Sequence, residues 1–502
     1  MTNLPSIADF YANKSIFVTG GTGFIGKMIV EKLLRSCKDI NTIYLLARPK
    51  KDKSSADRLQ EMLNSPLFDK IREKNPEALN KIVLVNGDVA MENLGLSETD
   101  QKKLCDNVNV IIHSAATINF NEPLKVAIAT NLQSVRELIK LARKVENLNV
   151  LVHVSTAYTK WYDFDVKEIF HKPNNDPNEV IEMCKTLSDE EINKRTKSLL
   201  GKHVNTYTYS KSLAEYLVSV EGKGLPIAII RPSAVLSSVK EPFPGWIDNW
   251  AGHTLYVYMM ARGLLRVFHM NGDYLCDCIP ADHTVNITIA AGWKVGTDKS
   301  TKNKEPEIYQ IATGSENPIK WKEMFDPLQY YARNYPLTDV LWYPTYKYRK
   351  SEKVARFETF VTQLIPAYIG DFAMKITGRK PRLVKTQKFI ERNYNSVRFV
   401  VNEPIVFRTE NYHKLAASMN ENDLKEFDFD LRKIDWKKYI ENYYFGARKY
   451  LWKQKDGNYP VLKKKVVRLK YANYVFMGTS IAASLYFLNS AKNLLFKKNQ
   501  DC

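Results

Sequence analysis

Tyr207 and Lys211 stand four residues apart in the run NTYTYSKSLAEYLV (205–218). Four residues is about one helical turn, so on a helix the phenol and the ammonium share a face. A free phenol titrates near about 10, and a neighbouring cation lowers an acid by about 1–3 units. The spacing predicts a phenol tuned to hand a proton to a developing alkoxide. A strand-like run at 149–155 precedes this helix, and a hydroxyl from Thr156 or Ser155 at its end would hold a carbonyl oxygen. Tyr343/Lys347 and Tyr346/Lys350 repeat the spacing in a chain with 28 tyrosines. Only Tyr207/Lys211 lies between two strand-like runs, 149–155 and 227–231.

Such a pair needs an oxidisable partner, and TGGTGFIG (19–26) offers a place for one. A short apolar strand ends at Thr19, and FIGKMIVEKLLR (24–35) has apolar residues at helical spacing. Glycines at 20, 21, 23 and 26 therefore lie between a strand and a helix, the context of the dinucleotide fingerprint. Glycine lets the backbone approach a pyrophosphate, and the helix start offers free N–H groups. Thr19, Gly20, Gly21, Thr22, Gly23, Phe24, Ile25 and Gly26 are the expected cradle.

The next strand, within 42–51, would end in an acid at an NAD site. Arg48 stands there instead, followed by Lys50 and Lys51. Cations at that point suit the 2′-phosphate of NADP. Further strand-like runs at 82–85, 108–113, 149–155 and 227–231 alternate with helical stretches. That pattern predicts an α/β, Rossmann-type, doubly wound parallel sheet. Ligands in such sheets bind at the carboxyl ends of strands. Three ends carry polar punctuation: Asp88 and Val89 in GDV, Ser114, Ala115, Ala116 and Thr117 in HSAAT, and Ser155 and Thr156 in VSTAY.

With 502 residues and a formal net charge of +19, the chain is expected to form more than one domain. Part of the excess is local: residues 347–398 hold thirteen Lys/Arg against four Asp/Glu. No nucleic-acid module accompanies the charge, so an anionic membrane surface or phosphate-rich ligands fit better than nucleic acid. Six cysteines without framework spacing read as free thiols, and Cys276-x-Cys278 lacks a second half for zinc, so no metal site is expected. The N-terminal stretch MTNLPSIADF is polar and lacks an apolar run, so no secretory signal is expected from it.

Residues 14 to about 290 resemble an extended short-chain dehydrogenase/reductase. More narrowly, the chain is similar to the fatty acyl-CoA reductases along nearly its whole length. The segments that carry this are TGGTGFIGKMIVEKLLR, HSAATINFNEPLKVAIATN, HVSTAY, YTYSKSLAE, IIRPSAV and EPFPGWIDNW (241–250), with GSENPIKW, LWYP and FDFDLRKIDWKKYIENYYFGARKYLWK (427–453) beyond them. The resemblance implies NADPH as cofactor and fatty acyl-CoA as substrate. It implies two hydride steps, acyl-CoA to aldehyde and aldehyde to primary alcohol. By the same resemblance Tyr207 is the acid, Lys211 orients the nicotinamide ribose, Thr156 or Ser155 steadies the oxygen, and Asn131 shapes the neighbouring helix. Pro232, Ser233 and Val235, in IIRPSAV, join the cofactor set. The alternatives are another extended dehydrogenase acting on a sterol or sugar nucleotide, and a catalytically silent NADP-sensing membrane scaffold.

The expected layout is a reductase domain over 10–350 with a substrate subdomain, then a helical domain over 351–462. After PGWIDNW the chain has bulky residues at 255–260 in place of the family's small stretch, which bears on the acyl pocket. Residues 471–491 hold no charge over about the length of a membrane-spanning helix. Five basic residues precede them and three follow, a bias that would keep the bulk cytosolic. A membrane of the endoplasmic reticulum or peroxisome is expected, with the catalytic part facing the cytosol. The sequence does not speak to oligomeric state.

Overall fold

The protein is described from a computed structural model, over residues 4–50, 53–298, 300, 305–455 and 459–498. It divides into two compact units. The first comprises Met1–Ala251, Tyr274–Lys320 and Phe399–Leu451, the second Gly252–Asp273, Trp321–Arg398 and Trp452–Cys502.

The first unit is built on seven strands: β1 (Ser15–Thr19), β2 (Thr42–Ala47), β3 (Ile82–Asn86), β4 (Val110–His113), β5 (Val150–Val154), β6 (Ile227–Pro232) and β7 (Glu307–Ile311). They run parallel in the order β3-β2-β1-β4-β5-β6-β7. The inner strands are continuous runs of Val, Ile and Leu and lie buried, as a sheet covered on both faces requires. The chain winds outward through β1, β2 and β3, then returns to place β4 beside β1. That reversal opens a crevice at the carboxyl ends of β1 and β4. Each strand expected from the sequence forms, within a residue or two at its ends. The edge strand β7 was not anticipated.

The helices that matter for the site are α1 (Phe24–Ser36), α2 (Ser55–Leu63), α3 (Thr206–Glu221) and α4 (Ala281–Thr297). The helical 399–451 region folds into this same unit. It packs tightly: Gly245 (φ +81°) and Gly446 meet so closely that a Cβ on Gly446 would lie 1.8 Å from the Gly245 oxygen.

The second unit is mainly helical, and four of its helices recur below: α5 (Glu352–Thr359), α6 (Ile365–Ile376), α7 (Leu383–Asn402) and α8 (Tyr459–Lys498). The bulky stretch at 255–260 falls here. Tyr256, Val257, Met259 and Met260 are buried, and Tyr256 stacks edge-on against Phe268. They help form the interior of this unit.

The expectation of a spanning helix at 471–491 is not confirmed. α8 runs through those residues, but among the described residues no helix is long and apolar enough to cross a membrane. Asn473, Gly478, Thr479, Ser480, Ser484, Asn489 and Ser490 dilute the apolar content. One face is also engaged with protein. Trp342 Nε1 donates to Asn473 Oδ1 at 2.9 Å, and the Phe476 ring meets Trp342 and the Arg266 guanidinium.

Candidate active site

Every residue of this site belongs to the first unit. The glycine loop closes on itself between β1 and α1. Gly20 (φ +72°) passes so close to the β4 end that a Cβ would meet Ala115 N at 2.5 Å. A Cβ on Gly26 would lie 2.2 Å from the Gly20 oxygen, so α1 starts directly against the loop. Gly23 is the N-cap and provides no side-chain oxygen, which leaves the first N–H groups of α1 for an outside acceptor. Phe24 and Ile25 open that helix. Thr19 Oγ1 bonds His113 Nδ1 at 2.6 Å, and Ser114 donates to the Thr19 carbonyl through its N–H (3.2 Å) and its hydroxyl (2.9 Å). These bonds clamp the ends of β1 and β4 together under the crevice.

At the β2 end Arg48 is exposed and pairs with Asp88 at 2.6 Å. The acid missing from β2 is thus supplied from the β3 end. Asp88 also accepts from Ala90 N, which sets the turn around Val89. Lys50 sits in a small bridge with Lys53, and Lys51 lies outside the described residues. A residue the sequence reading missed completes this corner. Arg58 on α2 donates to the Arg48 carbonyl at 2.7 Å and to Thr22 Oγ1 at 2.6 Å. Burial first, then the charge of Arg48, lowers its pKa. Two guanidinium groups therefore lie near the glycine loop, and one of them, Arg48, is paired with the Asp88 carboxylate. Nothing in the spacing of α2 singles Arg58 out.

α3 begins at Asn205, whose side chain accepts from Thr208 N at 2.8 Å. Tyr207, Lys211 and Glu215 fall on one face of it. Lys211 is buried and donates to the Val154 carbonyl at the end of β5, 2.8 Å away. Burial pushes its ammonium down to about 8. Tyr207 packs edge-on against Phe120 and keeps partial exposure. Its hydroxyl is densely surrounded: burial pushes the phenol up to about 12, opposed by a hydrogen bond with Thr156. This reverses the expected direction. Lys211 Nζ turns one of its three donors to a β5 carbonyl, and burial rather than the neighbouring cation sets the phenol.

Thr156 is buried, caps the following turn through Tyr158 N, and reaches toward the Pro232 carbonyl. Ser155 Oγ and Ser233 Oγ are buried without a partner. Val235 lies just beyond, in a two-residue bridge to Cys278–Ile279. Asn131 sits in a π turn, Ala129–Gln133. It accepts from Thr117 N at 2.9 Å, and its amide donates to the Thr117 carbonyl at 3.2 Å and to Ser210 Oγ at 3.0 Å. Ser210 in turn donates to the Tyr207 carbonyl. One buried amide thus ties the Thr117 loop, with Ala115 and Ala116, to the first turn of α3.

Glu215 was also missed. Its carboxylate takes three hydrogen bonds from Arg231 at 2.6–3.1 Å, both side chains buried. Arg231 spends its remaining donors on the Lys167 and Ile169 carbonyls. The pair anchors the far end of the Tyr207 face to β6. The signal in the sequence is a second step of four along α3, from Lys211 to Glu215.

A cradle that only glycine fits, uncapped N–H groups on α1 and partnerless hydroxyls at Ser155 and Ser233 all suit a bound dinucleotide. They can hold its phosphates and leave donors for its nicotinamide end.

Comparison with known proteins agrees. Residues 18–288 and 362–454 match two family profiles, each described as male sterility protein. The chain is 37% identical to fatty acyl-CoA reductase 1 of Rattus norvegicus over 471 residues, covering 94% of this chain and 91% of that one. It is 36% identical to fatty acyl-CoA reductase 1 of Homo sapiens, with the same coverage. It is 33% identical to the fatty acyl-CoA reductase wat of Drosophila melanogaster, covering 95% and 92%. Among solved structures it shares a fold with the terminal R domain of the myxalamid pathway (TM-score 0.58, 19% identity, 87% and 91% covered). The R domain of a Mycobacterium tuberculosis non-ribosomal peptide synthetase is similar (TM-score 0.55, 18% identity, 89% and 93% covered).

Proposed function

The chain belongs to the fatty acyl-CoA reductase family, a family of nicotinamide-dependent reductases, and on that premise we propose that it reduces a long-chain fatty acyl-CoA with NADPH, through an aldehyde, to a primary alcohol. One bound NADPH would supply the hydride for the first step, and a second NADPH, bound after the spent cofactor leaves, the hydride for the second. Tyr207 gives its proton to the oxygen as negative charge develops there, and burial keeps that proton on the phenol until it is needed. The Thr156 hydroxyl holds the oxygen, with Ser155 beside it as the second candidate. Lys211 holds the nicotinamide ribose. Asn131 keeps the Thr117 loop and α3 in register.

After the first hydride the substrate is a hemithioacetal. Its C–S bond breaks, the electron pair leaves on sulfur as the CoA thiolate, and the hydroxyl proton returns to the Tyr207 phenolate as the carbonyl reforms as the aldehyde. The second hydride and a second proton from Tyr207 give the alcohol. No covalent enzyme intermediate is required, because the thioester carbon is itself the acceptor.

The observation that carries this reading is one face of α3. There Tyr207 bonds Thr156 and Lys211 lies at the end of β5, beside the unpartnered Ser155 hydroxyl. For the cofactor, Arg48 and Arg58 together support NADPH over NADH. For location, the basic 347–398 region and an amphiphilic substrate support attachment to the cytosolic face of the endoplasmic reticulum or peroxisome.

The test is purified protein incubated with NADPH or NADH and acyl-CoAs of graded length, with products separated by gas chromatography. Fatty alcohol formed with NADPH is expected. Cofactor oxidation by sterols or sugar nucleotides instead, or by no substrate at all, would overturn the reading.

A further inference from the structure

Helices α5 and α6 and the π turn between them expose the side chains a surface helix normally buries. Ala355, Gln363 and Ala367 are buried, and a Cβ on Gly370 would meet Leu383 Cδ1 at 2.5 Å. Ala355, Ala367 and Gly370, with the Gln363 amide that accepts from Arg266 N, therefore face the interior of the second unit. Phe357, Phe360, Ile365, Ile369, Phe372 and Ile376 point away and are 63, 51, 36, 62, 66 and 70% exposed. Their steps are three, five, four, three and four. The step of five spans the π turn Phe360–Leu364, whose wider winding absorbs the extra residue and keeps the row on one face. A continuous aromatic and aliphatic row of this length marks an interaction surface.

Its rim is strongly cationic. Residues 352–388 hold eight Lys/Arg and three acids. Glu352 pairs with Arg356 and Arg398, and Glu358 pairs with Arg349. Asp371 accepts from the backbone N–H groups of 382, 383 and 384 at 2.8–2.9 Å. All three acids are thus engaged. Among the described residues Lys375, Arg379, Lys380, Arg382 and Lys385 have no carboxylate partner, and all five are exposed.

We propose that this face of the second unit is a docking surface for an anionic phospholipid bilayer. Phe357, Phe372 and Ile376 enter the boundary between headgroups and acyl chains, and the cluster 375–385 meets lipid phosphates. Charge complementarity selects this occupant over a second copy. Two copies joined by this face would bring the same unpaired cations together with no acid to answer them. The inference rests on the reductase reading only in that a fatty acyl-CoA gathers in such a surface.

The experiment is co-sedimentation of the full chain with vesicles of phosphatidylcholine, with and without phosphatidylserine. Wild type is expected to bind the mixed vesicles more tightly, and added salt to weaken the binding. Phe357→Ala/Phe372→Ala/Ile376→Ala should lower partitioning by about tenfold or more, the equivalent of about 1.4 kcal/mol. Arg379→Gln/Lys380→Gln/Arg382→Gln should remove the preference for phosphatidylserine. Both variants alter exposed side chains, so melting temperature and turnover of a short, soluble acyl-CoA should stay at the wild-type value. Wild-type partitioning by the alanine variant would overturn the proposal and move attachment elsewhere, for instance to α8. A wild-type dimer that the alanine variant converts to monomer would show a subunit interface instead. Vesicle binding as predicted by a protein inactive on every acyl-CoA would uphold the surface while overturning the proposed reaction.

Discussion

Lys211 Nζ donates to the Val154 carbonyl oxygen at 2.8 Å, which fastens the Tyr207 face of α3 to the end of β5. Burial there lowers the ammonium from 10.5 to about 8. The folded state therefore sheds this proton before the unfolded chain does. Between about 8 and 10.5 the unfolded chain binds more protons, so this residue makes stability rise with pH across that window. Cofactor binding should follow the opposite sign, because in the proposed reaction the lysine holds the ribose as a cation. The dissociation constant for NADPH, measured by fluorescence against pH, should weaken as pH rises through about 8. Lys211→Arg, which stays charged, should bind less well but lose that alkaline limb. A wild-type profile flat to about pH 10, near the ordinary lysine value, would show that Lys211 is not the titrating group.

Tyr207→Phe removes the phenol without disturbing the Phe120 contact or the bonds of Asn131. Turnover should fall by about 10²–10⁴-fold while NADPH affinity stays nearly unchanged. Thr156→Ala should cost less, because Ser155 Oγ lies next to it without a partner. Near wild-type turnover in Tyr207→Phe would place the acid elsewhere.

On the proposed reading, Arg58 shares the discrimination between cofactors with Arg48. Removing a charge-assisted bond to phosphate costs about 1.5–3 kcal/mol, so Arg58→Ala should raise KM for NADPH by about ten- to a hundredfold. KM for NADH should hardly move. Equal loss for both cofactors would mean that Arg58 only supports Thr22 and the glycine loop.

Glu215→Gln leaves the Arg231 guanidinium buried beside a neutral amide. Breaking one partner of a buried pair costs about 3–5 kcal/mol, which should appear as a large drop in the thermal midpoint. Adding Arg231→Met should restore part of it. A midpoint unchanged in Glu215→Gln would show that Lys167 and Ile169 alone hold the arginine.

Much of this was legible in the sequence. Continuous apolar runs marked six of the seven strands. The glycine spacing located the β1–α1 turn, because only glycine tolerates the contacts at 20 and 26. The unread parts share a cause: they depend on tertiary neighbours. Arg58 gains meaning only when α2 folds back on the Thr22 turn, and Glu215 only when Arg231 arrives from β6. The phenol was misjudged because spacing reports a nearby cation but not burial, nor the carbonyl that occupies that cation. The expected membrane span at 471–491 is not confirmed, because a charge-free length says nothing of the polar residues within it or of Asn473 meeting Trp342. Arg48 was read as unopposed because Asp88 lies forty residues on, at the end of another strand.

The central claim is that one site reduces the same carbon twice. The direct measurement is mass spectrometry of the product formed from hexadecanoyl-CoA and NADPH deuterated at the transferred position. The account predicts hexadecanol with two deuterium atoms on its first carbon, two NADPH oxidised per CoA released, and none of this product from Tyr207→Phe. A product that stops at the aldehyde with a single deuterium, or deuterated alcohol from Tyr207→Phe at the wild-type rate, would contradict it.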